Sequence, residues 1–542
     1  MPEPVAALRP LRHPAFRRFW AANQVSNLGG LIQAVGAAWM MTSLTSSPSM
    51  IALVQASTTL PIMLFALSAG ALADNHDRRR IMVVAQGLML ATSLALAVAA
   101  LAGWLTPWTL LAFTFLIGTG TALNNPSWQA SVGDLVPRAE LPEAVSLNAM
   151  GFNLMRSVGP ALGGLIVATA GAATAFVLNA LSYLPLLAAL ALWKSPPRNS
   201  TVPPEAFGPA VAAGVRYVAM SPHLIRLMLR GMLFGTGAIC LLALLPLVAR
   251  DLVQGGAFVY GVLLGGFGMG AIGGGLLNPR LRRALGSEGV VRMAFLTFGL
   301  ALVWLSQGRS LIWAAPAMLL AGGSWVTALS LFNVSVQLSS PRWVVGRALA
   351  VYQMTTFGGM AAGSWVWGAT AGAIGTENAL IAAAAFMTLG AAAGLFIAIP
   401  ALDGADLDPL GRFREPALAL DLRGRSGPIL VMIDYRIAPE DIPAFLDTMT
   451  ERRRIRRRDG ARQWVLLRDL EHPDQWTESY HVATWDDYIR HNMRRTKADA
   501  EVSDRLNRLH RGEDPPRVHR MIERQSVTSH QDVPLKDTGD HI

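Results

Sequence analysis

Twelve times between residues 19 and 400 the chain enters an apolar run: near 19–43, 49–73, 81–104, 108–132, 144–169, 173–193, 224–249, 257–277, 290–307, 311–337, 346–371 and 378–400. A bilayer core about 30 Å thick is crossed by roughly 20 apolar residues of helix. Inside it every backbone polar group must find its partner within the structure, which leaves helices as the expected element throughout this part. Charge divides the chain in the same way. Residues 1–400 hold ten acidic and 22 basic side chains, and residues 401–542 hold the other 26 acidic and 24 basic ones. The first part is membrane-like and net positive; the last 142 residues have the composition of a soluble domain near neutrality. The excess arginine is scattered in short loops, so the high pI does not point to nucleic acid. The single cysteine, Cys240, lies inside an apolar run, which excludes disulfides and thiolate metal sites as scaffolds. No cofactor or metal is implied. No compact apolar core with a small-residue cleavage site follows the basic N-terminus, so a cleaved signal peptide is not expected.

Basic residues orient the spans. The N-terminus and alternate loops carry 18 of them, among them Arg17, Arg18, Arg78, Arg79, Arg80, Arg138, Lys194, Arg216, Arg282, Arg283 and Arg347, whereas the opposite loops carry only Arg250 and Arg309. Both termini are therefore expected in the cytoplasm, with the protein in an inner membrane. A repeat at an offset of 204 residues pairs Gly70 with Gly274, Arg78 and Arg79 with Arg282 and Arg283, Pro137-Arg138 with Pro341-Arg342, and Gly171 with Gly375. The expected fold is an all-α membrane protein of twelve transmembrane helices in two six-helix halves, residues 1–193 and 223–400, joined by a cytoplasmic linker at 194–222. Such paired halves around a central site are a transporter architecture. A connector at 401–427 leads to a soluble domain at 428–542, whose end is expected to be disordered.

One polar stretch, GALADNHDRRRIM at residues 70–82, interrupts two apolar runs. Gly70, Leu72, Ala73, Asp74, Arg78 and Arg79 match the loop between spans 2 and 3 that marks the major facilitator superfamily. Asn75 and Asp77 depart from that pattern, and the second copy, GGLLNPRLRR from Gly274, has Asn278 in place of the acid. The resemblance covers residues 10–400 and is greatest to the drug:proton antiporter branch that also contains the enterobactin exporter. It implies that Asp74 and Arg78 form a gate facing the start of span 11, with Arg79, Gly274, Arg282 and Arg283 in the two copies of the motif. Orientation of the helices alone accounts for Arg79 and Arg80, but not for Asp74. In span 5, Gly159, Pro160, Gly163 and Gly164 resemble the end of the antiporter motif of exporters; tight helix packing is the alternative reading. Gly268-Met-Gly270-Ala-Ile-Gly273 formally matches a dinucleotide motif but follows no strand, so Gly266, Gly270 and Gly274 read as packing positions.

Polar residues inside spans usually face the bundle interior. Candidates for substrate binding are Asn23 and Asn27 in span 1, Asn125, Trp128 and Gln129 in span 4, Asn153 and Arg156 in span 5, and Trp325, Asn333 and Gln337 in span 10. Arg156 is the sharpest signal because its repeat partner is Met360. It suits an anionic substrate group or a charge-balancing role; its plain alternative is a buried arginine satisfied by carbonyls and amides. Arg230 is expected to snorkel to the membrane face. All ten acids of the membrane part fall in loops or at span ends, which leaves Asp74, Asp134 and Glu143 as candidate proton carriers. Proton coupling thus rests on the resemblance.

In the tail, PILVMIDYRIAP, RQWVLLRDL and WTESYHVAT read as strands, and the segments after Pro439 and at WDDYIRHNMRR as helices. That βαββα order predicts half of an α+β ferredoxin-like fold. From Ile429 to about Met521 the tail resembles the dimeric α/β-barrel domains of antibiotic-biosynthesis monooxygenases, which implies a homodimer through the tail and a cleft that Trp464, Trp476, His481, Trp485 and His491 could line. Core packing is the competing role for these rings. The expected function is export of amphipathic drug-like or siderophore-like small molecules by a secondary active, proton-coupled transporter with no catalytic residues. The alternatives are a membrane-anchored enzyme that uses the tail, and an uncoupled facilitator or importer.

Overall fold

The computed structural model describes residues 6–75, 77–137, 140–193, 207–341, 343–399, 406–408, 410–420 and 422–523. The expected disordered end lies outside them. Thirteen helices precede the tail: α1 Pro14–Leu44, α2 Pro48–Asn75, α3 Arg78–Leu101, α4 Pro107–Leu135, α5 Leu141–Ala170, α6 Ala172–Ser182, α7 Leu184–Leu192, α8 Phe207–Ala219, α9 Pro222–Leu247, α10 Ala257–Ser306, α11 Leu311–Leu338, α12 Val345–Ile374 and α13 Thr376–Ala393. Among the described residues, seven helical segments are long and apolar enough to cross a membrane. At about 1.5 Å per residue the 31-residue α1 is about 46 Å long, more than a perpendicular crossing needs.

Local chemistry sets several boundaries. Proline occupies the first position of α1, and Pro107 with a reciprocal Thr106–Thr109 capping box starts α4. Asp77, the residue that departs from the motif's glycine, caps α3 by accepting from the Arg79 amide at 3.0 Å. The repeat partners Gly171 and Gly375 adopt nearly the same left-handed conformation, with φ of 82° and 87°, and each turns one helix into the next. The loop expected to carry Arg280, Arg282 and Arg283 is instead helical. α10 runs through it and breaks only at Gly286, where φ is 69°.

The chain forms two compact units: residues 1–207, 223–336 and 349–401, and residues 208–222, 337–348 and 402–542. In the first, buried polar pegs join helices in an apolar surround. Ser57 meets Thr114 at 2.6 Å between α2 and α4, and Gln86 meets Asn124 at 3.2 Å between α3 and α4. Asn179 of α6 donates to Ser93 at 3.2 Å and to Tyr183 at 3.0 Å, and also reaches Gln33, which ties α1, α3 and α6 together. Each such bond contributes only about 0.6 kcal/mol on average, so close packing carries the rest. Gly159 and Gly163 face α1, where an added Cβ would lie 2.9 Å from Leu31 and 3.0 Å from Ile32. Gly164 instead faces α10, 2.8 Å from Gly261 by the same measure. Gly270 and Gly274 abut the α11 backbone at Leu319 and Gly323.

In the second unit β1 Ile429–Arg436, β2 Arg462–Arg468, β3 Gln475–Val482 and β4 Arg517–Ile522 form an antiparallel sheet of order β2-β3-β1-β4. Helices α14 Ile442–Arg458, α15 Trp485–Met493 and α16 Lys497–Leu509 complete it. Ile429, Val431, Ile433 and Tyr435 alternate inward along β1 and pack with Phe445, Met449, Val502 and Leu506. Burial of each large side chain is worth about 1.5–3 kcal/mol. α8 buries Ala210, Ala213 and Tyr217 along one face, and the Arg458 guanidinium sits 5.1 Å above the Tyr217 ring.

Candidate functional site

Between α5 and α11 lies a cavity of about 380 Å³ lined by Asn153 and Arg156 on one side and by Trp325, Val326, Leu329, Ser330, Asn333 and Val334 on the other. Its size falls within the range of small-molecule sites, about 300–1,000 Å³. Asn153 and Arg156 are three residues apart and so share a face of α5. Along α11 the lining residues recur every four positions in two rows, 325-329-333 and 326-330-334. Helix α10 packs closely on both through glycine: a Cβ on Gly268 of α10 would lie 2.7 Å from the Arg156 carbonyl oxygen of α5, and Gly270 of α10 abuts Leu319 of α11.

The Arg156 guanidinium lies 5.5 Å from the Phe267 ring centroid, and Phe267 in turn packs edge-on against Trp325 at 5.7 Å. A cation over an aromatic face gains about 0.5–2 kcal/mol, less than a paired carboxylate would give. Among the described residues no carboxylate lies within ion-pair distance of Arg156. The cavity therefore presents a positive group, an amide on each side and apolar walls. Four of the expected substrate residues, Asn153, Arg156, Trp325 and Asn333, line it.

The others lie elsewhere. Asn23 is buried in α1 and Asn27 half-buried. Asn125 and Gln129 are exposed on α4, while Trp128 between them turns inward and stacks on Phe19 at 6.2 Å in a core with Met82 and Val132. Gln337 belongs to the second unit. Leu329 and Ser330 escaped the sequence reading because neither is a costly residue in a span; the four-residue spacing of Leu329 from Trp325 and Asn333, and the three-residue spacing of Ser330 from Asn333, were the available signal.

The motif at residues 70–82 is held within the first half. Arg78 donates to Asp134 at 2.9 Å and to the Ala130 carbonyl at 2.6 Å on α4. Arg79 donates to the carbonyls of Leu190 at 2.7 Å and Ala191 at 3.1 Å. Gly70 has open space around it, and the Asp74 side chain lies outside the described residues. In the second half Arg283 donates to the Pro279 carbonyl at 3.3 Å, and Arg282 is half-buried. Arg230 corrects its expectation. Rather than snorkelling it is fully buried, bonded to Glu288 at 3.2 Å and stacked 4.9 Å over Phe295. Arg292 binds the same carboxylate at 2.8 Å, so a partner removed the need to reach water.

Four of the five tail rings expected to line a cleft make contacts with the core or its buried groups, and His481 is half-buried. Trp464 donates to Glu478 at 3.0 Å, Trp485 to Glu415 at 3.1 Å, Trp476 packs on Phe445 at 5.5 Å, and His491 meets Arg456 at 2.8 Å.

Comparison with known proteins settles the family. The profile of the transmembrane secretion effectors matches residues 5–528. The chain belongs to this family of major facilitator transporters. The match runs through the tail, beyond the residues 10–400 of the sequence resemblance. Among curated relatives, the enterobactin exporter of Shigella flexneri is 27% identical over 391 residues, 69% of this chain and 89% of that one. The staphyloferrin A transporter of Staphylococcus aureus is 23% identical over 288 residues, 53% of this chain and 72% of that one. The macrolide efflux protein A of Streptococcus pyogenes is 25% identical over 276 residues, 48% and 66% of the two chains. A bacterial homologue of the human lysosomal transporter Spinster, in an inward-facing and unoccupied conformation, superposes with a TM-score of 0.57 at 14% identity over 72% of this chain and 97% of that one. The peptide transporter family member PepTSo gives 0.59 at 12% identity over 71% and 98%. At those identities the likeness is one of fold. This transmembrane secretion effector is thus a multi-pass membrane transporter of small molecules, with siderophore and drug exporters among its relatives.

Proposed function

We propose that this protein exports amphipathic small molecules bearing an anionic or catechol-like group, by alternating access of two six-helix halves around the α5–α11 cavity. The observation that carries this reading is Arg156, a cation without a carboxylate partner facing a cavity with an aromatic and an amide wall. The siderophore cargoes named for two relatives agree with such a lining. The same reading has twelve spans in an inner membrane and both termini in the cytoplasm, in accord with the distribution of arginine.

Contacts between the halves support an inward-open state. Trp39 stacks on Tyr260 at 6.3 Å, Arg250 donates to the Thr42 carbonyl at 3.3 Å, and Gly368 abuts Ala52. These residues lie at the span ends remote from the arginine-rich loops. Proton coupling belongs to this proposal, with Asp74 and Asp134 as its carriers and Arg78 as the group that responds to them. The βαββααβ order and strand order of the tail support a ferredoxin-like domain, through whose sheet the transporter pairs.

The test uses everted membrane vesicles with an imposed proton gradient, followed as lipophilic cations, macrolides and catecholate siderophores are added. Catecholates are expected to collapse the gradient. Arg156→Gln should cut their transport by about ten-fold or more, the loss of one charge-assisted contact, while a neutral macrolide keeps its rate. Equal loss for both cargoes would remove Arg156 from the binding site. Collapse that persists in both Asp74→Asn and Asp134→Asn would remove those carboxylates from coupling.

A further inference from the structure

The tail holds a second cavity, of about 410 Å³, between its sheet and its helices. Six arginines line it, Arg412, Arg414, Arg452, Arg456, Arg495 and Arg520, and the one acidic side chain among its walls is Asp504. Beneath the floor Glu478 neutralises part of this charge. It is fully buried and accepts from Arg456 at 3.1 Å and from Arg452 at 3.4 Å. One carboxylate thus serves two guanidinium groups. Among the described residues Arg412, Arg414, Arg495 and Arg520 have no ion-pair partner.

These cations gather where repulsion should drive them apart. Arg452 donates to the Ser503 hydroxyl at 2.8 Å, and Arg495 donates to the same oxygen. Two guanidinium groups on one hydroxyl bring like charge together, and of the two only Arg452 has a carboxylate partner, Glu478. Burial, with Arg452 and Arg456 nearby, lowers Arg495 to about 10. His491, which faces Arg456, stays neutral through its own burial and the same charges. Arg452 and Arg456 are buried, Arg495 is half-buried, and Arg412, Arg414 and Arg520 are exposed; cations gathered in this way favour an anion among them. The walls also offer rings. Tyr480 lies 4.5 Å below the Arg456 guanidinium, and Tyr488 accepts from Arg520 at 2.6 Å.

We propose that this cavity is a binding site for a small organic oxyanion, a carboxylate or phosphate held by Arg452, Arg495 and Arg520 with its apolar body against Tyr480. The guanidinium fork matches both oxyanions, which is why arginine rather than lysine fills such sites. Neighbouring residues tie the site to the rest of its unit. Arg494, next to Arg495, stacks 4.2 Å over Trp343 in the segment between α11 and α12. Arg458, one half-turn beyond Arg456, stacks over Tyr217 of α8.

The test is calorimetric titration of the full-length protein in detergent with benzoate, citrate and inorganic phosphate. At least one is expected to bind, with affinity reduced about ten-fold in Arg495→Gln and in Arg520→Gln, the loss of one charge-assisted contact. The probe that binds distinguishes carboxylate from phosphate. Arg520 is exposed, so its variant tests the site even if Arg495→Gln fails to fold. Absence of binding by all three probes, binding indifferent to Arg495 and Arg520, or binding lost only in Arg156→Gln would each overturn the proposal.

Discussion

Two arginine-glutamate-arginine clusters, one in each unit, solve the same electrostatic problem differently. In the membrane unit Glu288 bridges Arg230 and Arg292 and also accepts from the Ile399 amide at 2.9 Å. The arginines turn further donors to the carbonyls of Gly390 and Gly394, which lie at the end of α13. Among the described residues the Arg230 Nε is left without a hydrogen-bond partner, but the partners the cluster does have are fixed parts of the fold. In the tail Glu478 bridges Arg452 and Arg456, but their other donors reach His491 and, at the wall of a cavity rich in further arginine, Ser503. A helix end completes the first cluster; the second is left with surplus positive charge. A buried ion pair alone therefore says little about function, and what its spare hydrogen bonds meet says more.

The comparison can be broken most forcefully at its carboxylates. Glu478→Gln should destabilise the tail by about 3–5 kcal/mol, because two buried cations lose their counter-charge. Burial by itself raises the Glu478 carboxyl; the charges of Arg456 and Arg452, with bonds from Trp464 and Arg456, outweigh it and hold the group at about 2. Its stabilisation is therefore complete above the ordinary glutamate range and is lost only as pH falls towards 2. Hydrogen exchange of β1 and β3 amides at neutral pH would measure the difference between wild type and variant. A change below about 1 kcal/mol, the worth of an exposed pair, would mean that water reaches the cluster. Glu288→Gln should cost somewhat less, about 2–3 kcal/mol in thermal unfolding of the purified transporter, because its carboxylate is 18% exposed and the helix-end carbonyls still hold both arginines.

These clusters also mark how far the sequence was legible. Apolar runs announced the helices because a bilayer demands long uncharged segments, and Gly171 with Gly375 announced two turns because only glycine enters that conformation without strain. Arg156, Asn153, Trp325 and Asn333 stood out as costly residues in spans, and the fold brings them to one cavity. Trp128 stood out equally and packs on Phe19, since an aromatic ring is as useful in a core as in a site. Arg230 was misread because its partner Glu288 is 58 residues away, and no local pattern carries that distance. The tail cavity was invisible for the same reason. Nothing in the local pattern of ERRRIRRRDG shows that Arg452 and Arg456 point inward to a glutamate on a strand. Strand β4 was missed because RVHRMI has little apolar alternation, and its register follows from pairing with β1.

A smaller effect sharpens the tail side of the comparison. His491 is buried, and desolvation with the Arg456 and Arg452 charges pushes its pKa well below the usual histidine value. The unfolded chain takes up a proton near pH 6.5 that the folded tail refuses, so stability falls with decreasing pH, by at most about 1.4 kcal/mol per pH unit. His491→Gln removes that slope while keeping an acceptor for Arg456. Tail stability compared at pH 7 and pH 5.5 should therefore converge in the variant relative to wild type. Parallel pH profiles for the two proteins would mean that His491 is protonated in place and adds to the positive cluster.

Arg78 and Asp134 form a third pair, joined at 2.9 Å but 19% and 30% exposed. Partial hydration limits its worth to about 0.5 kcal/mol, so Asp134→Asn should leave the melting temperature nearly unchanged. Arg78 keeps the Ala130 carbonyl at 2.6 Å in that variant, and α3 therefore stays against α4. Under the proposed coupling the value of this pair lies in its low cost of rupture, since a contact that opened and closed with each transport cycle would have to be worth less than several kcal/mol. Transport reduced in Asp134→Asn with unaltered stability would separate it from the two buried clusters. Destabilisation as large as that from Glu288→Gln would instead make it a third member of their class.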